Sequence, residues 1–125
     1  MGRKILVAED SDSIRKFIVF ALKLAGFEVV QAVDGMEAME KMVTPGIELL
    51  ITDLNMPNMD GFTLIKTLRD SDEFKLLPII ILSSLSKDAD VSSGLAFGAN
   101  SYLIKPFNQK KLMYEIAKYI DVKLN

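Results

Sequence analysis

Residues 49–61, LLITDLNMPNMDG, run from an apolar, β-branched stretch (Leu49 to Thr52) through a carboxylate, Asp53, into a loop. Asn55, Pro57 and Asn58 mark that loop, and Asp60-Gly61 closes it before a helical pattern begins. A short apolar run between turn signals reads as a buried strand. Asp53 therefore stands at the strand's C-terminal end, the edge where open α/β sheets bind ligands. A strand fixes the carboxylate and a loop leaves it accessible, which suits a nucleophile or a metal ligand. An Asp that merely caps the loop would look the same, so the other strand ends decide.

Upstream, Lys4 to Ala8 (KILVA) is a short apolar strand that runs into adjacent acids, Glu9 and Asp10. Ser11, Asp12 and Ser13 are N-cap candidates. Ile14, Phe17, Ile18, Ala21, Leu22 and Ala25 follow at helical spacing, and Gly26 is a helix stop. Glu28 to Ala32 predicts a second strand, and Asp34-Gly35 reads as turn chemistry. Met36, Met39 and Met42-Val43 predict a helical stripe, closed by Thr44-Pro45-Gly46. The central strand covers Ile47 to Asp53.

Downstream, Asp60 can cap a helix carrying Phe62, Ile65 and Leu68, and Arg69 to Lys75 reads as a solvated charged connection. Pro78 to Leu82 (PIIIL) predicts a strand apolar on both faces, as in the middle of a parallel sheet, followed by Ser83-Ser84. Asp88 to Phe97 predicts a weak helix: Val91, Leu95 and Ala96 give a thin stripe, and Ser92, Ser93 and Gly94 lower its propensity. It is expected among the more mobile elements. After Gly98-Ala99-Asn100, a last strand from Ser101 to Ile104 runs into Lys105 and Pro106. Asn108 caps a final helix with Leu112, Met113, Ile116 and Ile120 on one face. Five strand–helix alternations predict a doubly wound α/β fold, a parallel sheet with helices on both faces.

The composition narrows the chemistry. The 125 residues fit one domain, 1–125, with half of them hydrophobic and a net charge of −2. That balance fits neither a disordered tail nor a broad nucleic-acid-binding surface. With no Cys and no His, thiol nucleophiles, zinc-thiolate sites and the commonest general base are absent. Metal chemistry here must use oxygen ligands, favouring Mg²⁺, Ca²⁺ or Mn²⁺. The chain shows no signal peptide and no membrane-length apolar run, so a cytoplasmic protein without membrane insertion is expected.

The strand ends together carry Glu9, Asp10, Asp53, Ser83 and Lys105. Two carboxylates about 4 Å apart repel by roughly 4 kcal/mol at an effective dielectric near 20. One lysine offsets one charge, so raised pKa values or a bound cation must do the rest. A water-accessible multi-carboxylate site suits Mg²⁺. With such an ion, Asp53 could attack a phosphoryl group, while Lys105 and Ser83 bind its oxygens.

These motifs, in this order over essentially the whole chain, resemble the response-regulator receiver domains of the CheY-like family. The matching residues are Glu9-Asp10, Asp53, the loop Asn55 to Gly61, Ser83, Tyr102 and Lys105-Pro106-Phe107. The resemblance implies the strand order 2-1-3-4-5, for which CheY is itself a standard example. It implies Asp53 as phosphoacceptor, with Mg²⁺ (Mn²⁺ as a substitute) on Asp10, Asp53 and the Asn55 carbonyl, and Glu9 acting through water. It further implies Lys105 and Ser83 as phosphoryl ligands, Tyr102 as a switch coupled to Ser83, and a cis Lys105-Pro106 bond. The implied partners are a sensor histidine kinase or phosphotransfer protein, and an output protein on the face of helix four, strand five and helix five. The chain would be no independent enzyme, but would catalyse its own aspartyl phosphorylation and dephosphorylation. Asn100-Ser101 stand where dimerising transcriptional receivers usually carry acids, so a monomer is expected. A stand-alone receiver and one cut from a longer regulator, such as a transcription factor, would look alike. A haloacid-dehalogenase phosphatase would want an Asp where Asn55 stands. A flavin carrier would not place two acids after the first strand.

Overall fold

The computed structural model describes residues 3–121; the ends of the expected 1–125 domain, 1–2 and 122–125, lie outside the described residues. Five strands, β1 (Lys4–Ala8), β2 (Glu28–Ala32), β3 (Ile47–Asp53), β4 (Ile79–Ser83) and β5 (Ser101–Ile104), alternate with five helices. The helices are α1 (Asp12–Leu24), α2 (Gly35–Lys41), α3 (Gly61–Arg69), α4 (Asp88–Ala96) and α5 (Gln109–Ala117). The sheet is parallel throughout, in the order β2-β1-β3-β4-β5.

Side chains alternate across each strand, so the sheet feeds two cores. Ile5, Val7, Leu49, Ile51, Ile80, Leu82 and Leu103 face α1 and α5, meeting Ile18, Leu22, Leu112 and Ile116. Leu6, Ala8, Leu50, Ile79 and Ile81 face the other layer, meeting Ala38, Met42, Leu64, Ile65 and Leu68. β3 and β4 are buried along almost their whole length. They are the rigid floor on which the site stands.

Several helices differ from the expected stripes. In α1 Phe17 is 42% exposed, while Val19 joins the buried face beside Ile18, Ala21 and Leu22. Asp34 is not a free turn residue: it is the N-cap of α2, its carboxylate accepting from the Glu37 amide at 2.8 Å. That start rotates the helix so that Gly35, Ala38 and Met42 are buried, and Met36 and Val43 face solvent. β4 begins at Ile79 because Pro78 has no amide to give; its carbonyl accepts from Leu50. Ser83 is thus the last residue of β4 itself. In α4, Leu95 and Ala96 are exposed and only Gly94 is buried. A methyl at Gly94 would stand 2.8 Å from Ile81 Cδ1 and 2.9 Å from Tyr102 Cδ2, so the bare backbone is what lets α4 lie down.

Arg69 departs from the solvated connection expected of Arg69 to Lys75. Its guanidinium donates to the Gly98 carbonyl at 2.8 Å, the Phe74 carbonyl at 3.1 Å and Asn100 Oδ1 at 3.0 Å. Asn100 Oδ1 also accepts from the Ile79 amide at 2.9 Å. The end of α3 is thereby tied to the turn entering β5.

Candidate active site

Ala8 pairs with Thr52, and Asp53 with Leu82, so β1, β3 and β4 end together on one edge of the sheet. β5 delivers Lys105 to the same edge, where its amide donates to the Ser83 carbonyl at 2.8 Å. The Lys105 ammonium donates to Glu9 Oε1 at 2.8 Å and to Asp53 Oδ2 at 3.1 Å. One cation thus joins the first and third strand ends. The second oxygen of each acid is held by backbone: Ser11 N donates to Glu9 Oε2 at 3.1 Å, and Leu54 N to Asp53 Oδ1 at 2.7 Å.

Glu9 is fully buried and Asp53 nearly so, whereas Asp10 is exposed. Burial pushes the Glu9 carboxyl above its ordinary value, with the Lys105 hydrogen bond opposing and the Asp53 charge adding. Burial acts to lower the Lys105 pKa, but hydrogen bonds and charges from Glu9 and Asp53 outweigh it and hold the ammonium above its ordinary value.

Glu9, Asp10 and Asp53 each offer an oxygen within 4.8 Å of the others. Three carboxylates face one ammonium, leaving surplus negative charge at an accessible mouth. The set is all oxygen, with neither imidazole nor thiolate, which fits a hard divalent ion such as Mg²⁺. Asn55 lies exposed on the loop two residues past Asp53.

Ser83 is buried, and its hydroxyl accepts from the Leu85 amide at 3.1 Å. The Tyr102 hydroxyl donates to the Leu85 carbonyl at 2.8 Å. Ser83 and Tyr102 are therefore joined through one residue's backbone. The Lys105-Pro106 peptide is cis, as the resemblance implies. Beside Lys105 an apolar groove of about 450 Å³ is lined by Ile14, Phe17, Pro106 and Phe107.

Sequence reasoning did not single out the groups that hold the loops. Arg15 donates to the Glu9 carbonyl at 2.8 Å, and nothing in the helical pattern around it marks that role. Asn58 sits at φ 67° and donates to Asp34 Oδ2 at 2.7 Å, tying the loop after Asp53 to the start of α2. The spacing Asp34-x-x-Glu37 carried a capping signal that a turn reading of Asp34-Gly35 passed over.

The family model for the response regulator receiver domain matches residues 5–117, and the chain belongs to that family. It is 40% identical over 111 residues to the chemotaxis protein CheY1 of Helicobacter pylori, covering 87% of this chain and 90% of that protein. Among solved structures it is similar to the chemotaxis response regulator CheY4 of Vibrio cholerae, with TM-score 0.89 and 35% identity over 96% of this chain and all of that one. It is also similar to the receiver domain of the sensor histidine kinase PA1611 from Pseudomonas aeruginosa, with TM-score 0.87 and 26% identity over 95% and 98% of the two chains. That structure has a magnesium ion coordinated in its active-site cleft.

The fold and the strand order 2-1-3-4-5 are as expected. The chain is a receiver domain of two-component signalling, a switch rather than a self-standing enzyme. It is also 39% identical over 110 residues to the probable transcriptional regulator ycf27 of Cyanophora paradoxa, covering 88% of this chain and 45% of that protein. Among the described residues no helix is long and apolar enough to cross a membrane.

Proposed function

We propose that Asp53 accepts a phosphoryl group and that the chain passes the resulting change to an output protein. The observation that carries this reading is the shared ammonium: Lys105 stands 3.1 Å from Asp53 and 2.8 Å from Glu9 at the mouth of the sheet. The Asp53 carboxylate attacks phosphorus, and the bond from phosphorus to the donor breaks. A kinase or phosphotransfer histidine leaves as imidazole; an acyl phosphate leaves as its carboxylate. Lys105 moves from the acids to the arriving phosphoryl oxygens, and the Ser83 hydroxyl donates to another. Asp10, Asp53 and the Asn55 carbonyl would hold Mg²⁺, or Mn²⁺ in its place, with Glu9 acting through water. That ion supplies charge neutralisation between carboxylate and phosphoryl group.

When Ser83 turns to the phosphoryl group it releases the Leu85 amide, and Tyr102 loses its fixed acceptor. The face of α4, β5 and α5 is then presented in a new form to the partner, whose preference for that form sets the response. Dephosphorylation uses the same residues: water attacks phosphorus, the bond from phosphorus to the Asp53 oxygen breaks, and the free carboxylate and inorganic phosphate are left. The chain acts as a monomer in the cytoplasm, without binding nucleic acid.

The test is Mg²⁺-dependent phosphorylation by acetyl phosphate, read by intact mass, on wild type and Asp53→Asn. An adduct that requires Mg²⁺ and is lost in the variant supports Asp53 as acceptor. An adduct that persists in Asp53→Asn overturns it.

A further inference from the structure

We propose that Arg15 is a positioning residue for the metal site, fixing the backbone that carries Asp10. The inference rests on the Mg²⁺ reading above. Among the described residues the Asp10 side chain is exposed and makes no hydrogen bond or ion pair, although its carboxylate is one of the clustered three. Its neighbours are held from within the site: Glu9 by Lys105 and Ser11 N, Asp53 by Lys105 and Leu54 N. Only its backbone and its own rotamer therefore set the place of the Asp10 carboxylate.

That backbone leaves the sheet just before Asp10. Glu9 N makes a last sheet-edge bond to the Ala32 carbonyl at 3.0 Å, and α1 begins at Asp12. The Ser11 hydroxyl caps the helix with a long 3.4 Å bond from Ile14 N. Arg15 lies one turn into α1, and helix side chains lean toward the N-terminus. Its guanidinium returns over the loop, donating to the Glu9 carbonyl at 2.8 Å and to Asp12 Oδ1 at 2.5 Å. A third, longer bond at 3.3 Å reaches Gln31 Oε1 on β2. The two short bonds bracket Asp10, one on the preceding peptide and one two residues on. The Arg15 side chain is only 11% exposed and its bond to the Glu9 carbonyl is part-buried, while Asp12 lies at the surface. A guanidinium presents its donors in a rigid planar fork, whereas an ammonium is a compact charge with three rotatable donors on a flexible stem and spans separated acceptors less well. Three like charges crowded together push the exposed one outward; Arg15 opposes that by gripping its loop.

Mg²⁺ binding by calorimetry tests the inference on wild type, Arg15→Ala and Arg15→Lys, each also in an Asp10→Asn background. Urea unfolding shows whether each variant is folded. Residues behind metal ligands typically govern affinity by about ten- to a hundredfold. Arg15→Ala is expected to weaken Mg²⁺ binding by about tenfold or more, and Arg15→Lys by less. In the Asp10→Asn background the Arg15 effect should shrink severalfold, because the two act through one carboxylate. If folded Arg15→Ala matches wild type, or loses the same factor in both backgrounds, the positioning role is wrong. Should Arg15→Ala fail to fold, Arg15→Lys carries the same comparison. Wild type without Mg²⁺ affinity would overturn the metal reading beneath the inference, and the inference with it.

Discussion

The Tyr102 hydroxyl donates to the carbonyl of Leu85, 2.8 Å away across the opening of the β4–α4 loop. The amide of the same Leu85 donates to Ser83. A change at the buried serine thus reaches an outer aromatic through one peptide segment. Tyr102→Phe removes the far bond while leaving the ring. Because that bond lies at the surface, the loss of stability should be about 1 kcal/mol or less by urea unfolding. The larger effect should be on coupling. On phosphorylation, amide chemical-shift changes at Ser83 and Leu85 should persist in the variant, and those along α4 should fall.

Lys105 is the shared partner of two buried acids, so its removal strands both. Lys105→Ala should cost about 3 kcal/mol at neutral pH, the usual scale for breaking a buried pair. Glu9 has a raised pKa in the folded chain, so the folded state holds its proton more tightly than the unfolded one. Stability from such a group is greatest below its ordinary pKa and is lost as pH rises through the folded value. Part of the Lys105→Ala deficit should therefore return on acidification to about pH 5, and part on adding Mg²⁺. Denaturant midpoints at the two pH values, with and without the ion, check this.

Asp34 gives the opposite pH behaviour. The Glu37 amide and the Asn58 side chain hold its carboxyl below the usual range. Its contribution is present above that range and fades as pH falls toward the lowered value. Asp34→Ser keeps a capping oxygen but cannot also serve Asn58. It should stay folded, lose this acid-side dependence and loosen the loop carrying Asn55, as read by amide exchange at residues 55–59.

At Gly94 two effects compete. Alanine raises helix propensity by about 1 kcal/mol. Its methyl would press on Ile81 and the Tyr102 ring at 2.8–2.9 Å. Overpacking of this kind costs about 1–3 kcal/mol, so Gly94→Ala should destabilise by about 1 kcal/mol net. The displaced Tyr102 ring should shift its resonances.

The strands were legible because burial on both faces leaves a plain signature in KILVA, LLIT and PIIIL, and because each runs into a polar residue. The chemistry was legible for the same reason: Glu9, Asp53, Ser83 and Lys105 are fixed by where strands stop. Tyr102 and the cis bond came from resemblance rather than from pattern. The helices were read less well. Phe17 and Met36 fit apolar spacing yet face solvent, since spacing defines a stripe but not which side the sheet occupies. The surrounding clamps were least visible. Arg15 and Arg69 look like surface cations in sequence, and only the folded loops bring carbonyls to them.

The bond between Glu9 and Lys105 joins residues 96 apart in a chain of 125. Closing so long a span has an entropic cost that is recovered only when the intervening strands are docked. A growing chain that has completed β1 through β4 already holds all three carboxylates, but lacks the cation that completes the site. On the proposed reading of Asp53, competence to accept a phosphoryl group therefore arrives with the last strand. A partly made or locally unravelled receiver should be silent rather than wrongly active.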